Sequence, residues 1–140
     1  MLKKLSLDNF TTFQHAEFNF APGINIIIGE NSSGKSHVLK LAYSVATVWE
    51  QCGKEGWREQ LVKKLHGVFG IEQLLELRNR TTLLTAERHS VTLEFFVNHK
   101  SGSQQLSFEL NKPDNITING DTPHKPLLNK PLFFPAKEIL

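Results

Sequence analysis

The stretch Gly29-Glu30-Asn31-Ser32-Ser33-Gly34-Lys35-Ser36 fits the pattern G-x-x-x-x-G-K-[ST] at every fixed position. Just before it runs Ile24-Asn25-Ile26-Ile27-Ile28, a nearly continuous β-branched run that predicts a strand buried on both faces of a parallel sheet. Just after it, Val38, Ala42, Val45, Ala46 and Trp49 recur at helical spacing and predict a helix reaching about Gln51 or Cys52. Gly29 and Gly34 permit backbone angles that let successive N–H groups converge on one anion. The helix starting near Lys35 adds unpaired N–H groups and the positive end of its dipole. In such a loop Lys35 reaches β- and γ-phosphates, and the Ser36 hydroxyl ligates the Mg²⁺ that bridges them. The plain alternative, a glycine turn capping an ordinary helix, leaves the coincidence of motif and context unexplained.

The whole chain narrows the classes. Its 140 residues are one domain's worth, and the formal charge of +2 is too small to argue for nucleic acid or an anionic membrane. Six histidines are scattered, and none forms a metal-ligand spacing with Cys52 or a carboxylate. The lone Cys52 excludes an internal disulfide and suits a reducing compartment. Met1-Leu2-Lys3-Lys4 leads into an alternating strand rather than an apolar signal core, and no apolar run is long enough to span a bilayer. The expectation is a cytoplasmic chain with no membrane partner.

Outward from the loop toward the N-terminus, Leu5 and Leu7 alternate with Ser6 and Asp8, a half-buried strand ending near Asn9-Phe10. Thr11 to His15 read as a polar connection, and Ala16, Phe18 and Phe20 as a second amphipathic strand. Pro22-Gly23 turns the chain into the run that feeds the glycine loop. Two amphipathic strands ahead of a buried one is not the opening of a plain Rossmann unit.

These residues resemble a known family. Leu5-Ser6-Leu7-Asp8-Asn9-Phe10, Phe13, Glu17-Phe18-Asn19-Phe20, Gly23 and Ile26 to Ser36 look like the opening of the ABC-type ATPases of the SMC, RecF, Rad50 and OLD group. The distinctive parts are the Asn-Phe after the first strand and the Gly-Glu-Asn-x-x-Gly-Lys-Ser loop, and the likeness covers residues 2 to 46. The resemblance implies ATP and Mg²⁺ as ligands, with Gly29 through Ser36 and the adjoining His37 as the phosphate-side contacts. It also implies that Asn9, Phe10, Thr11 and Thr12 wall the adenine and ribose. For Phe10, core packing is an equally good account.

Downstream, Gly53 and Gly56 break the first helix, and Trp57, Leu61, Leu65 and Val68 share one side of a second. Ile71 to Leu77 suggest a further turn or two. Lys63, Lys64, Arg78, Arg80 and Arg88 make this portion basic; a solvated helix face is favoured over a DNA-contacting lobe. From Ser90 the period becomes two. Val91 to Val97 and Leu106 to Leu110 read as a β-hairpin, and Ile116 and Ile118 as a short strand ending at Asn119-Gly120. Leu132 to Phe134 read as a strand returning to the main sheet. By resemblance, Pro135-Ala136-Lys137-Glu138 stands where related ATPases carry a glutamine that contacts Mg²⁺, a role open to Glu138 or Lys137.

Hydrolysis in this class also needs a strand ending in Asp-Glu and a Leu-Ser-Gly-Gly signature, and the sequence contains neither. The expected fold is α/β: the N-terminal lobe of an ABC/SMC-like P-loop NTPase, a mixed sheet with antiparallel hairpins flanking the loop strand and helix. The expected layout is a single domain. Strands, loop and helix occupy 1–52, a helical insertion 53–89, a hairpin region 90–130 and a returning strand 131–140. The expected function is Mg·ATP binding without hydrolysis by the lobe alone. Partners implied by resemblance are the remainder of the ATPase head, a head-to-tail second copy, and nucleic acid for a parent protein in DNA repair or defence. The competing readings are a small self-contained P-loop kinase, with Arg78, Arg80 and Arg88 on a lid, and an interaction module with a relic loop. The β-rich 90–120 region argues against the first, and intact Lys35 and Ser36 against the second.

Overall fold

Alternation builds the sheet. In the computed structural model, which describes residues 2–79, 88–96, 102–125 and 127, strand β1 spans Leu2–Phe10. Leu5 and Leu7 point inward and are fully buried, with Ser6 and Asp8 on the other face. Strand β2, Phe13–Asn19, pairs with it antiparallel, Leu5 facing Phe18 and Leu7 facing Ala16. Phe10 and Phe13 also pair, so the polar connection expected over Thr11 to His15 shrinks to the tight reversal Thr11-Thr12. Thr11 makes that reversal at φ 48, in the left-handed region that a β-branched residue rarely occupies.

Strands β3 (Ser90–Phe96), β4 (Ser103–Glu109) and β5 (Thr117–Asn119) complete a five-stranded sheet in the order β2-β1-β3-β4-β5. Every pairing is antiparallel. The hairpin and the short strand stand where the period-two pattern put them. Leu7 faces Val91, which faces Phe108; Leu5 faces Leu93, which faces Leu106. These rows make the sheet's buried face, each such side chain contributing ~1.5–3 kcal/mol on burial. The opposite face carries the pairs Lys4–Glu17 at 2.9 Å and Lys3–Glu94 at 3.1 Å, and the Thr92–Ser107 hydroxyl contact at 2.8 Å.

Helix α1 spans Lys35–Val48 and tightens into a 3₁₀ turn at Trp49–Gln51. Helix α2 spans Trp57–Phe69 between the left-handed glycines Gly56 and Gly70, and a 3₁₀ turn follows at Leu74–Leu77. Val38, Leu41 and Val45 of α1 and Leu61 and Leu65 of α2 join the inner face of the sheet in one core cluster. Trp49 closes one end, its ring 4.7 Å from that of Phe95 and its indole N–H donating to the Lys125 carbonyl.

One element departs from the sequence reading. Ile24 to Ile28 form no strand among the described residues, and Ile24, Ile26 and Ile28 are 91%, 79% and 89% exposed. Only Ile27 packs against the core. A strand buried on both faces needs a layer on each side and a paired backbone, and no described residue supplies the second layer or the pairing. The expected returning strand, with Lys137 and Glu138, lies outside the described residues, as does Arg80.

Candidate functional site

The glycine loop joins the exposed isoleucine run to α1. Close approach constrains both of its glycines, Gly34 more than Gly29. A β-carbon on Gly29 would come within 2.7 Å of the Ser33 hydroxyl oxygen. One on Gly34 would meet the Thr12 hydroxyl and lie 2.7 Å from two carbons of the Phe13 ring. Gly34 also stands at φ 94 and Ser32 at φ 66, so the loop folds back on itself just before the helix. The Lys35 ammonium donates to the carbonyl oxygens of Gly29 at 2.5 Å and Glu30 at 2.6 Å, and reaches the Ser33 hydroxyl at 3.4 Å. The loop's own oxygens thus gather the positive charge over the turn. Behind it, α1 starts with no side-chain cap and no acidic residue in its first turn, which leaves its first N–H groups open to an anion. Glu30, Asn31, Ser32, Ser33 and Ser36 are exposed, Lys35 and His37 half-buried.

The β1–β2 turn touches this loop through the Thr12 hydroxyl, 3.5 Å from the Ser33 carbonyl. Beside it opens a cavity of about 610 Å³, lined by residues that include Thr11, Thr12, His37, Phe69, Glu76 and Arg78. Three buried polar atoms on its lining residues have no hydrogen-bond partner: Thr11 Oγ1, His37 Nδ1 and Arg78 Nε. Each such atom leaves ~1–3 kcal/mol of desolvation uncompensated. Burial, and then the charge of Lys40, holds the His37 imidazole below its ordinary range, so it is neutral near neutral pH. Its ring lies 6.0 Å from that of Phe69.

Asn9 and Phe10 were expected on an adenine wall, but neither lines the cavity. Phe10 is 1% exposed and packs edge-on against Phe69, so core packing accounts for it. Asn9 is buried at φ 53; its backbone carbonyl and side-chain Nδ2 bond the backbone and side chains around it, while its Oδ1 has no hydrogen-bond partner among the described residues. Its carbonyl accepts from the Asn79 amide at 2.8 Å and from His89 Nδ1 at 3.1 Å, while its Nδ2 donates to the Arg88 carbonyl at 2.7 Å. Thr11 and Thr12 do face the cavity. Phe69, Glu76 and Arg78 were not singled out for this place. They reach it because α2 and the turn after it pack against the end of β1, where Phe10 bridges Arg78 and the Thr11 amide donates to Leu77. No local signal in the sequence carries that long-range contact.

Comparison with known proteins bears on the same region. A family model described as an AAA domain matches residues 4–41. Among curated proteins, the chain is 30% identical over 114 residues to the DNA double-strand break repair Rad50 ATPase of Methanococcus maripaludis, covering 80% of this chain and 11% of that protein. It is 27% identical over 128 residues to the DNA replication and repair protein RecF of Staphylococcus haemolyticus, covering 87% of this chain and 34% of that protein. The chain therefore spans about a third or less of these relatives. A solved chain from work on ATP-driven dimerization and DNA-stimulated activation of SMC ATPases shares the fold, with a TM-score of 0.53 at 17% identity. That match covers 87% of this chain and 71% of the other.

Proposed function

We propose that this chain, which is an N-terminal lobe of an SMC/RecF/Rad50-like P-loop ATPase, binds Mg·ATP through Gly29 to Ser36. The observation that carries the reading is the uncapped, acid-free start of α1 behind the tightly packed Gly34, with the Lys35 ammonium gathered over the same turn. Phosphate oxygens would take the donors that Lys35 now gives to Gly29 and Glu30, and Ser36, exposed on the first turn, would offer its hydroxyl to Mg²⁺. When bound, the metal supplies charge neutralisation across the phosphates.

The lobe alone does not complete hydrolysis, because the sequence holds neither the Asp-Glu strand end nor the signature motif. Those groups would come from the remainder of the head. The exposed Ile24, Ile26 and Ile28 next to the loop support a missing layer at that place. By analogy with the repair proteins it resembles, the parent protein would act cytoplasmically on nucleic acid, closing two heads head-to-tail around nucleotide. A self-contained kinase is disfavoured by the wholly antiparallel pairing of the described sheet.

Calorimetry of Mg·ATP with the chain and with Lys35→Ala tests this, with phosphate release followed in parallel. The expected loss is ~1.5–3 kcal/mol, about ten- to a hundredfold in affinity, with no turnover in either protein. Equal binding by both proteins, or robust phosphate release, would refute it.

A further inference from the structure

The edge of the Phe13 ring stands directly against the backbone of the glycine loop. A carbon added at Gly34 would lie 2.7 Å from both Cε2 and Cζ of that ring, at the residue that precedes α1. A phenyl ring has no atom that bonds a phosphate. It does deny the Gly34 backbone the room to swing toward β2. Gly34 in turn leads the helix, since its carbonyl accepts from the Val38 amide at 3.1 Å. Where Gly34 sits therefore sets where the first open N–H groups of α1 point.

The ring is itself braced. Phe13 meets Phe18 edge-on, with centroids 5.9 Å apart and planes at 86°, and Phe18 stacks on Phe20 at 6.4 Å. All three are half-buried and pack against the core cluster. The Phe13 backbone is fixed by its pairing with Phe10 across the Thr11-Thr12 reversal. A row of aromatic rings thus runs from the sheet to the loop. Resting on the reading that the loop takes phosphates, we propose that Phe13 is a positioning residue: its ring, braced by Phe18 and Phe20, holds the loop in the shape that receives an anion without touching the ligand. Apparent affinity scales with the fraction of chains whose loop has that shape, so loosening the brace weakens every ligand that binds through the phosphates.

The test compares two ring truncations. Phe13→Leu keeps a branched apolar side chain on the core but ends short of Cε2 and Cζ. Phe10→Leu truncates a ring that is more deeply buried and does not face the loop. Each chain is titrated with Mg·ATP and with Mg·tripolyphosphate, and its stability is measured in urea. Phe13→Leu should weaken both ligands by the same factor, about three- to tenfold, while costing less stability than Phe10→Leu. Phe10→Leu should leave both ligands within twofold. In the unliganded chain, hydrogen exchange at the Val38 amide should quicken in Phe13→Leu and not in Phe10→Leu. Native-like binding by Phe13→Leu would overturn the proposal. So would ligand loss that follows stability loss across the two variants, which is the mark of a merely structural role. Weakening of ATP alone would overturn it too, by placing the ring's effect away from the phosphates. If the native chain binds neither ligand, the phosphate-loop reading fails and this proposal falls with it; if the native chain binds and only the Phe13 effects are missing, this proposal fails alone.

Discussion

Replacing Ile24, Ile26 and Ile28 together by Thr tests the exposed run most sharply. Thr keeps the branched β-carbon, so local backbone preference changes little. Three isoleucines buried on both faces of a sheet would each contribute ~1.5–3 kcal/mol, and losing all three would consume most of a small domain's stability of ~5–15 kcal/mol. Here the side chains are 91%, 79% and 89% exposed, so the surface they hide amounts to less than half of one isoleucine. The expected cost is therefore about 1 kcal/mol for the triple variant. Ile27→Thr is the internal control, since Ile27 packs on the core, and alone should cost ~1–2 kcal/mol. The assay is urea denaturation at low protein concentration, with light scattering to report association. The native chain should scatter in a concentration-dependent way and the triple variant should not, because an exposed β-branched run is a pairing hazard. A triple variant destabilised by more than about 3 kcal/mol while monomeric would mean that these side chains are buried in solution, and the reasoning would be refuted.

Other outcomes follow from single residues. Phe10→Ala should destabilise the chain by ~3–5 kcal/mol, whereas Phe10→Leu should leave Mg·ATP affinity within twofold, since the ring packs on Phe69 and does not line the cavity; urea melts and calorimetry check both. Cys52 is buried and its thiol is pushed up to about 12 by burial, so a thiol-modifying reagent at neutral pH should label it only in urea. Glu94 is held below the ordinary carboxylate range by the Ser103 hydroxyl and then Lys3, and Glu109 by Arg88 and then Asn119. Their depressed folded values mean that stability is present above the ordinary range near pH 4 and is lost as pH falls through the folded values. Denaturation midpoints should drop on acidification, and Glu109→Gln should flatten that slope.

How far the sequence could be read depended on the range of the interactions. The hairpins at 2–19 and 90–109 were legible because each strand carries its own period-two pattern, and pairing neighbours complete one another locally. The loop stood out because its pattern is written in consecutive residues. The run at 24–28 misled because apolarity states what a segment would bury, not what is there to bury it. Asn9 and Phe10, expected on an adenine wall, stand outside the lining of the cavity beside the loop. A buried turn residue and a ligand contact draw on the same residue types, and only the packing of α2 on the end of β1 shows which atoms are spent on the backbone. Arg78 entered the sequence reading as one charge among several in a basic stretch, and its place beside His37 arises from residues far apart in the chain.

Asn9 also fastens two stretches that lie far apart in the chain. Its backbone carbonyl accepts from the Asn79 amide and its side-chain amide donates to the Arg88 carbonyl, so one residue holds both against the end of β1. The two fastenings are separable: Asn9→Ala would release the Arg88 carbonyl and leave the Asn79 amide bonded to the main chain.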